Sequence, residues 1–310
     1  MDTDLPYVPL RAGRSHHVYL RGLRYHTRLW GEPALATDET PVLVLTHGWM
    51  DVGASFQFMV DELARIEGER RFVIAADWRG FGGSSTGGAD CFWFPDYLAD
   101  LEALLDMIAP GRPVDLCGHS MGGNVVMSYA GVRPARIRRL VNLEGFGMPA
   151  TQPEQSPQRL AQWLDELRAP MQLRPYDNLD EVAARLRKNN PRLPADRARW
   201  LAPHWAEQRD DGRWHVLGDP AHKRVNPVLY RAEEVVAAWR RITAPVLWVE
   251  GDQTDVGRFW GNRYPRAEFE SRLAQVPGVE RVVLPDCGHM LHHDRPAELA
   301  AAMRAFLDRP

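Results

Sequence analysis

The chain has 310 residues, of which 45% are hydrophobic and 25% are charged, as in an ordinary globular protein with one large domain or a core domain that carries an insertion. Its formal net charge of -3 gives no reason to expect nucleic acid or an anionic membrane surface as a partner, and no apolar run approaches the length of a membrane span. The N-terminal sequence Met-Asp-Thr-Asp-Leu-Pro is acidic where a secretory signal needs basic residues, so we expect a cytoplasmic protein.

The first half of the chain alternates between strand and helix patterns. Residues 16–31 alternate as two antiparallel strands do, and residues 42–45 and 72–76 are apolar runs typical of parallel strands buried on both faces. Helical spacing of apolar residues follows each run, at 56–66 and 97–108. This alternation predicts an α/β fold with a doubly wound, mostly parallel sheet.

The loops that end these strands carry distinctive residues. His47, Gly48 and Trp49 follow the first buried strand, where the backbone N–H of Trp49 could face a developing oxyanion. Asp77 and Arg79 follow the next buried strand, and we expect them to form an ion pair that braces the sheet edge.

Residues 118–122, Gly-His-Ser-Met-Gly, connect a short apolar segment to a helix-compatible stretch. A serine on so tight a turn has a strained backbone, and Gly118 and Gly122 fit because a Cβ there would collide with the neighbouring strand or helix. The turn exposes the Ser120 hydroxyl, and the N–H of Met121 at the helix start can face an oxyanion. The pattern predicts a nucleophile elbow.

Beyond Gly147 the character of the sequence changes. Residues 147–241 lack buried strand runs, are rich in Pro, Arg and Trp, and show helical spacing, so they predict a helical lid inserted into a core domain formed by residues 1–146 and 242–310. The strand pattern resumes at 245–249 and 281–284, and a helix at 295–307 closes the chain. We expect most of the lid tryptophans to form the core of the lid, with one or two facing a pocket.

Strand ends carry, in chain order, a serine, acidic candidates and His289. In this order and in its motifs, the sequence resembles the α/β-hydrolase fold superfamily over nearly its whole length, and is most similar to its lidded esterase, epoxide-hydrolase and haloalkane-dehalogenase-like group. The resemblance implies that Ser120 is the nucleophile and His289 the general base and then acid. It also implies that Trp49 and Met121 donate the N–H groups of an oxyanion hole.

The acid of the triad departs from the pattern of many relatives, in which it stands three residues after the glycine that ends the seventh strand of the family's fold. That glycine is Gly251 here, and Thr254 occupies the position of the acid. Asp255 is one residue further on and is the first choice, since Asp252 comes too soon after the strand. Some relatives place the acid at the end of the sixth strand, so Glu144 is the alternative.

A serine nucleophile argues against dehalogenase and epoxide-hydrolase chemistry, which use a carboxylate, and implies an acyl-enzyme. We therefore expect a serine hydrolase that acts on a small to medium, partly apolar carboxylic ester. The alternatives are another acyl or C–C bond hydrolase, a cofactor-free haloperoxidase or perhydrolase, and a ligand-binding protein without turnover.

No cofactor is predicted. No metal site is predicted either, because His289, His292 and His293 have no acidic ligand spaced with them and should be solvated or capping.

Overall fold

The computed structural model describes residues 5–309, apart from the side chain of Arg258. Residues 1–4, on which part of the prediction about the N-terminus depends, lie outside the described residues. The strands are β1 (Arg14–Leu20), β2 (Leu23–Trp30), β3 (Leu43–Thr46), β4 (Val73–Ala76), β5 (Val114–His119), β6 (Ile137–Leu143), β7 (Ala206–Gln208), β8 (Trp214–Val216), β9 (Val246–Gly251) and β10 (Val279–Leu284).

Eight of these strands form one sheet in the order β1-β2-β4-β3-β5-β6-β9-β10. The β1–β2 and β2–β4 pairs are antiparallel, and every later pair in that order is parallel. The mostly parallel sheet predicted from the buried apolar runs is therefore confirmed. Because parallel strands share one carboxyl-terminal edge, the loops after β3, β5, β6, β9 and β10 meet at that edge.

Helices flank the sheet, and their bounds agree closely with the predicted ones where the apolar spacing is strong. They are α1 (Gln57–Glu67), α2 (Phe94–Ile108), α3 (Met121–Val132), α4 (Ser156–Arg168), α5 (Leu179–Asn189), α6 (Ala195–Trp205), α7 (Ala232–Trp239), α8 (Gly257–Trp260), α9 (Arg266–Leu273), α10 (Leu291–Asp294) and α11 (Pro296–Leu307). Within residues 5–309, none of them combines the length and apolar character that crossing a bilayer requires.

The two faces of the sheet bury separate cores. Alternate strand residues point to opposite faces, so Val44 belongs to one core and Leu45 to the other. Helices α1 and α11 cover the Leu45 face, while α2, α3, α7 and α9 contribute to the core on the Val44 face. This arrangement holds the strand ends rigidly and leaves their connecting loops to carry the site.

The segment between β6 and β9 contains helices α4–α7 and also an antiparallel hairpin of β7 and β8. An all-helical segment was expected, and the hairpin escaped prediction because three-residue strands are too short to show a period of two. Helices α5 and α6 share a third core with Val52, Ala54 and Phe58, which precede or lie in α1. Part of the inserted segment is thus packed firmly onto the sheet domain.

Candidate active site

Ser120 lies at the junction between β5 and α3, where the chain turns sharply. Its φ is 52° and its ψ is −113°, a backbone conformation that non-glycine residues rarely adopt. The turn is fixed by a hydrogen bond of 2.8 Å from the N–H of Ser120 to the carbonyl oxygen of Leu143 on β6. The strained turn holds the hydroxyl at the sheet edge in a half-buried position.

The two glycines that flank this serine are required by close backbone contacts. A Cβ at Gly118 would lie 2.5 Å from the carbonyl carbon of Gly122, and a Cβ at Gly122 would lie 2.4 Å from the carbonyl oxygen of Thr46 on β3. Real Cβ atoms do not approach backbone atoms so closely. The sequence prediction gave this reason for both glycines, and the geometry of the turn agrees with it.

His289 follows β10 and comes within reach of the serine from the opposite side. Its Nε2 is 2.9 Å from Oγ of Ser120, and its Nδ1 is 2.6 Å from Oε2 of Glu144. An ionised carboxylate only accepts hydrogen bonds, so Nδ1 carries the proton and Nε2 of the neutral ring is left to accept one from the hydroxyl. This is the tautomer that a general base for Ser120 needs.

Glu144 lies directly after β6 and is 1% exposed. Its backbone has a φ of 54°, and its second carboxylate oxygen, Oε1, accepts hydrogen bonds of 2.7 Å from the N–H of Gly251 and from Oγ1 of Thr254. Burial of a carboxylate is tolerated only when its oxygens are paired, and here the two oxygens share three partners. The carboxylate is therefore held immobile behind the imidazole.

The ranking of Asp255 above Glu144 as the acid must be corrected. Asp255 is exposed, and its Oδ1 accepts a hydrogen bond of 2.9 Å from the N–H of Gly257, two residues further on. Asp252 is also turned elsewhere, since its Oδ1 accepts from the N–H of Cys287 at 3.1 Å. Asp255 fails as a partner of His289 because its side chain caps its own loop, whereas Glu144 points along the sheet edge toward the ring.

Sequence reasoning overlooked the role of Thr254. It was noted only as the residue that occupies the usual acid position, yet its hydroxyl orients the carboxylate that comes from the neighbouring strand. A hydroxyl at that position, together with an acid at the end of the sixth strand, is the signal that could have reversed the ranking.

The predicted oxyanion donors lie on both sides of the serine. Met121 is the first residue of α3, so its N–H belongs to the helix turn whose N–H groups have no partner within the helix. Gly48 approaches the serine so closely that a Cβ on it would lie 3.2 Å from Cβ of Ser120, which brings the loop of Trp49 against the nucleophile. The geometry is compatible with the predicted donors, whose role stays a prediction.

The loop after β3 is braced by His47. Its Nε2 accepts a hydrogen bond of 2.9 Å from the N–H of Trp78, and its Nδ1 donates to the carbonyl oxygen of Gly48 at 2.7 Å. Burial lowers the pKa of His47, so the ring is neutral and both its nitrogens are used in these bonds. His47 therefore braces this loop and has no free nitrogen with which to act as a second base.

The predicted ion pair between Asp77 and Arg79 is wrong. Asp77 instead contacts His26, with 2.7 Å between Oδ2 and Nδ1, and Oδ1 accepts from the N–H of Gly53 at 2.7 Å. Arg79 makes two hydrogen bonds of 2.6 Å to Asp100 in α2. The two charges find their partners on different elements, Asp77 on His26 of β2 and Arg79 on Asp100 of α2.

His292 and His293 are buried, with exposed fractions of 0% and 3%, and not solvated as expected. They lie in α10 behind the elbow, and the ring centroid of His292 is 4.7 Å from that of His119. The Nε2 of His119 donates a hydrogen bond of 2.8 Å to the carbonyl oxygen of His289. His119 is thus turned away from the serine hydroxyl.

Apolar side chains lie at the rim of the site. The ring of Phe259 is 4.9 Å from that of His289 and is 45% exposed, and Trp49 is 51% exposed. The tryptophans of the inserted segment lie mostly in packed layers: Trp239 belongs to a main core, and three others pack against the third core, namely Trp200, Trp205 and Trp214. This agrees with the expectation that most of them are structural.

Known proteins resemble this chain throughout its length. Residues 41–296 match the family described as alpha/beta hydrolase fold. The 3-hydroxybutyrate-oligomer hydrolase of Cupriavidus necator is 28% identical over 300 residues, which cover 93% of each chain. An sn-1-specific diacylglycerol lipase of Danio rerio is 24% identical over 87% of this chain and 79% of its own.

The fold also matches solved structures. The thioesterase domain from the curacin biosynthetic pathway superposes with a TM-score of 0.81, at 24% identity, over 95% of this chain and 99% of its own. This likeness shows the shared fold.

Proposed function

The chain belongs to the α/β-hydrolase fold family, and we propose that it is a serine hydrolase that cleaves a carboxylic ester through an acyl-enzyme. The observation that carries the proposal is the continuous hydrogen-bonded path from Oγ of Ser120 through the imidazole of His289 to the carboxylate of Glu144. A hydroxyl is a poor nucleophile until a base removes its proton, and this path supplies a base in the required tautomer with a fixed negative charge behind it.

In the first half of the proposed reaction, Oγ of Ser120 attacks the acyl carbon while its proton passes to Nε2 of His289. The N–H groups of Trp49 and Met121 stabilise the negative charge that develops on the carbonyl oxygen, and each such donor contributes on the order of 3 kcal/mol to lowering the barrier. The imidazolium then gives its proton to the leaving alcohol, which leaves the acyl group on the serine.

In the second half, a water molecule replaces the alcohol. His289 takes a proton from the water, which attacks the acyl carbon, and the collapse of the resulting intermediate returns the proton to Ser120 and releases the acid. Glu144 stabilises the imidazolium in both halves without being protonated itself. Its three hydrogen bonds prevent it from turning away as the charge on the ring changes.

The proposed substrate is a small to medium ester with an apolar part. Trp49 and Phe259 expose large apolar surfaces at the edge of the site, where a substrate chain would cover them. The names of the relatives also support acyl substrates, since they describe an oligomer hydrolase, a diacylglycerol lipase and a thioesterase domain.

The inserted segment is proposed to act as a lid over this site. The proposal is supported by the chain path, since the segment follows Glu144 at the end of β6, and by a hydrogen bond of 3.1 Å from Trp205 within it to Asp51 in the loop after β3. A cover at this edge would exclude water and strengthen the electrostatic interactions of the oxyanion donors.

Hydrolysis of short p-nitrophenyl esters by purified protein tests the proposal. Ser120→Ala should lower kcat by a factor on the order of 10⁴ or more and abolish labelling by a fluorophosphonate probe. Ser128→Ala is the matched control, because Ser128 lies in α3 and its hydroxyl donates to the carbonyl oxygen of Asn124 in the same helix. Labelling that survives in Ser120→Ala, or a wild-type protein that neither labels nor hydrolyses any ester of a broad panel, would contradict the proposal.

A further inference from the structure

A second cluster of polar side chains lies behind the nucleophile turn and takes no part in the proposed reaction. Asp51, His119 and His292 are 5%, 2% and 0% exposed, and each offers one metal-ligand atom within 4.8 Å of the other two. They come from the loop after β3, the nucleophile turn and α10. Three separate parts of the chain thus converge on one buried cluster.

The cluster is incompletely hydrogen-bonded. Among the described residues, Oδ2 of Asp51, Nδ1 of His119 and both ring nitrogens of His292 find no hydrogen-bond partner. Oδ2 of Asp51 and Nε2 of His292 are 3.8 Å apart, which is too long for a hydrogen bond. Buried polar atoms without partners are costly, so several of them facing one another indicate a group that binds between them.

The other atoms of these side chains are held as those of metal ligands usually are. Oδ1 of Asp51 accepts hydrogen bonds from the hydroxyl of Ser55 and, at 3.1 Å, from the indole N–H of Trp205. Nε2 of His119 donates to a backbone carbonyl oxygen, so Nδ1 keeps its lone pair. Metal-binding histidines commonly donate their second nitrogen to a carbonyl or carboxylate, which fixes the tautomer and the ring orientation.

The other nearby histidines are His47, His289 and His293. Both ring nitrogens of His293 lack a hydrogen-bond partner among the described residues, but His293 is not part of the group whose ligand atoms all lie within 4.8 Å of one another. Both nitrogens of His289 are taken by Ser120 and Glu144, and both nitrogens of His47 are taken by backbone groups. The remaining candidate ligands are therefore the carboxylate of Asp51 and the imidazoles of His119 and His292.

We propose that Asp51, His119 and His292 bind one divalent transition-metal ion of the Zn²⁺ or Co²⁺ class, with a water molecule completing the coordination. Imidazole nitrogens and a carboxylate oxygen are ligands that these ions accept, and the negative charge of Asp51 offsets part of the charge of the ion. Ligand atoms about 2.1 Å from a tetrahedral ion are about 3.4 Å apart, so the 3.8 Å contact shortens by about 0.4 Å on binding, and the other separations, which are at most 4.8 Å, shorten by at most about 1.4 Å.

The site differs from the metal site that sequence reasoning considered and set aside. That reasoning examined His289, His292 and His293 and found no acid spaced with them in sequence. The acid is Asp51, which precedes His292 by more than two hundred residues in the sequence. The fold brings the two side chains together.

Metal titration of the purified wild-type protein, treated first with a chelator and then dialysed, tests the proposal. Co²⁺ alone should give visible absorption bands of a low-coordinate ion that saturate at one equivalent per chain, and Zn²⁺ should displace it. Long incubation is needed, because the ligands are buried and Trp205 lies against Asp51. A second readout is thermal unfolding, because an ion that binds only the folded protein raises Tm.

Asp51→Asn and His292→Gln should each weaken Co²⁺ binding by on the order of 100-fold or more and remove the Tm shift. His215→Gln and Cys91→Ser are the controls, since a half-buried histidine beside Asp211 and a half-buried thiol are possible competing ligands. The proposal is overturned if the wild type binds no equivalent of Co²⁺ or Zn²⁺, or if binding survives in His292→Gln and disappears in a control. Near-ultraviolet circular dichroism of each metal-free variant shows whether a loss of binding reflects a loss of fold. If either Asp51→Asn or His292→Gln unfolds, metal binding by the other variant tests the proposal.

Discussion

The hydroxyl of Thr254 donates a hydrogen bond of 2.7 Å to Oε1 of Glu144. Thr254 stands at the position where the resemblance to α/β-hydrolases leads us to expect the acid of the triad, and here it bonds to Glu144, the acid that we propose, which follows the adjacent strand. The N–H of Gly251 makes the second bond to the same oxygen. The end of β9 and the loop after it therefore contact His289 indirectly, through the carboxylate of Glu144, which follows β6.

Replacement of this hydroxyl should weaken catalysis without abolishing it. Thr254→Val keeps the shape of the side chain but removes one bond to a charged acceptor, worth about 1.5–3 kcal/mol. This bond holds the carboxylate of Glu144 against His289, and its loss matters most in the transition state, in which the imidazole is charged. We therefore expect kcat/KM for an ester to fall by about 10- to 100-fold. Thr254→Ser restores the hydroxyl and should recover most of the rate, and failure of this recovery would show that packing, and not the hydrogen bond, is what matters.

Glu144→Gln should lower kcat far more than Asp255→Asn. An amide in place of Glu144 presents a donor or a weaker acceptor to Nδ1 of His289, which disturbs the tautomer, and such a change in a triad costs on the order of 10⁴ in kcat. Asp255→Asn alters only an exposed cap on Gly257 and should leave the rate within about twofold. Steady-state kinetics of the two purified variants decide the identity of the acid, and the opposite order of effects would restore Asp255.

The nucleophile turn should not tolerate a methyl group at Gly122. The Cβ of Gly122→Ala would lie 2.4 Å from the carbonyl oxygen of Thr46 and 2.7 Å from that of His47, and neither backbone group can yield easily. We expect a loss of stability of about 1–3 kcal/mol or more, together with loss of ester hydrolysis.

Gly218→Ala is the comparison, since its Cβ would lie 3.2 Å from the flexible end of Met50 and 3.6 Å from a methyl group of Leu173, and no backbone atom is among its nearest contacts. Thermal unfolding of the two variants gives the difference. Equal Tm values would mean that the turn can relax in a way that the close contacts do not suggest.

His222 should make stability depend on pH. Its ring is stacked between Phe81 and Phe92, with centroid distances of 3.7 Å to each, and burial lowers its pKa to about 3. In the unfolded chain the ring binds a proton near the ordinary pKa of about 6.5. The contribution of His222 to the free energy of unfolding is therefore fully present above that pH and is lost as the pH falls toward the pKa of the folded protein.

His222→Gln removes the titrating group while keeping a donor for the carbonyl oxygen of Arg79. The slope of unfolding free energy between about pH 6 and pH 4 should decrease by up to about 1.4 kcal/mol per pH unit. His16→Gln, at an exposed position, should leave the slope unchanged. Denaturant unfolding at several pH values measures both, and an unaltered slope in His222→Gln would show that the ring is charged without penalty.

Sequence reasoning worked best where a local backbone requirement fixes the residue type. The spacing of Gly118, Ser120 and Gly122 follows from contacts within one turn, and the sheet follows from apolar runs whose burial needs no knowledge of partners. His289 was also placed correctly relative to the serine, because the carboxyl ends of parallel strands share one edge.

It failed where the direction of a side chain is set by distant residues. Two carboxylates, Glu144 and Asp255, follow neighbouring strands, and only the positive φ of Glu144 and its bonds to the β9 loop decide which one faces His289. Arg79 was paired with its neighbour Asp77, but its partner Asp100 lies on a helix whose orientation no local pattern reveals.

The indole of Trp205 donates to Asp51, and α5 and α6 bury their apolar faces against the residues around α1. Helix α4 buries no residue, and Leu160 and Leu164 on it are 42% and 50% exposed. We therefore expect α4 to move more freely than α5 and α6, and we propose that α4 is the part of the inserted segment that opens to admit a substrate. Spin labels on α4 should report a wider range of distances to the sheet than labels on α5.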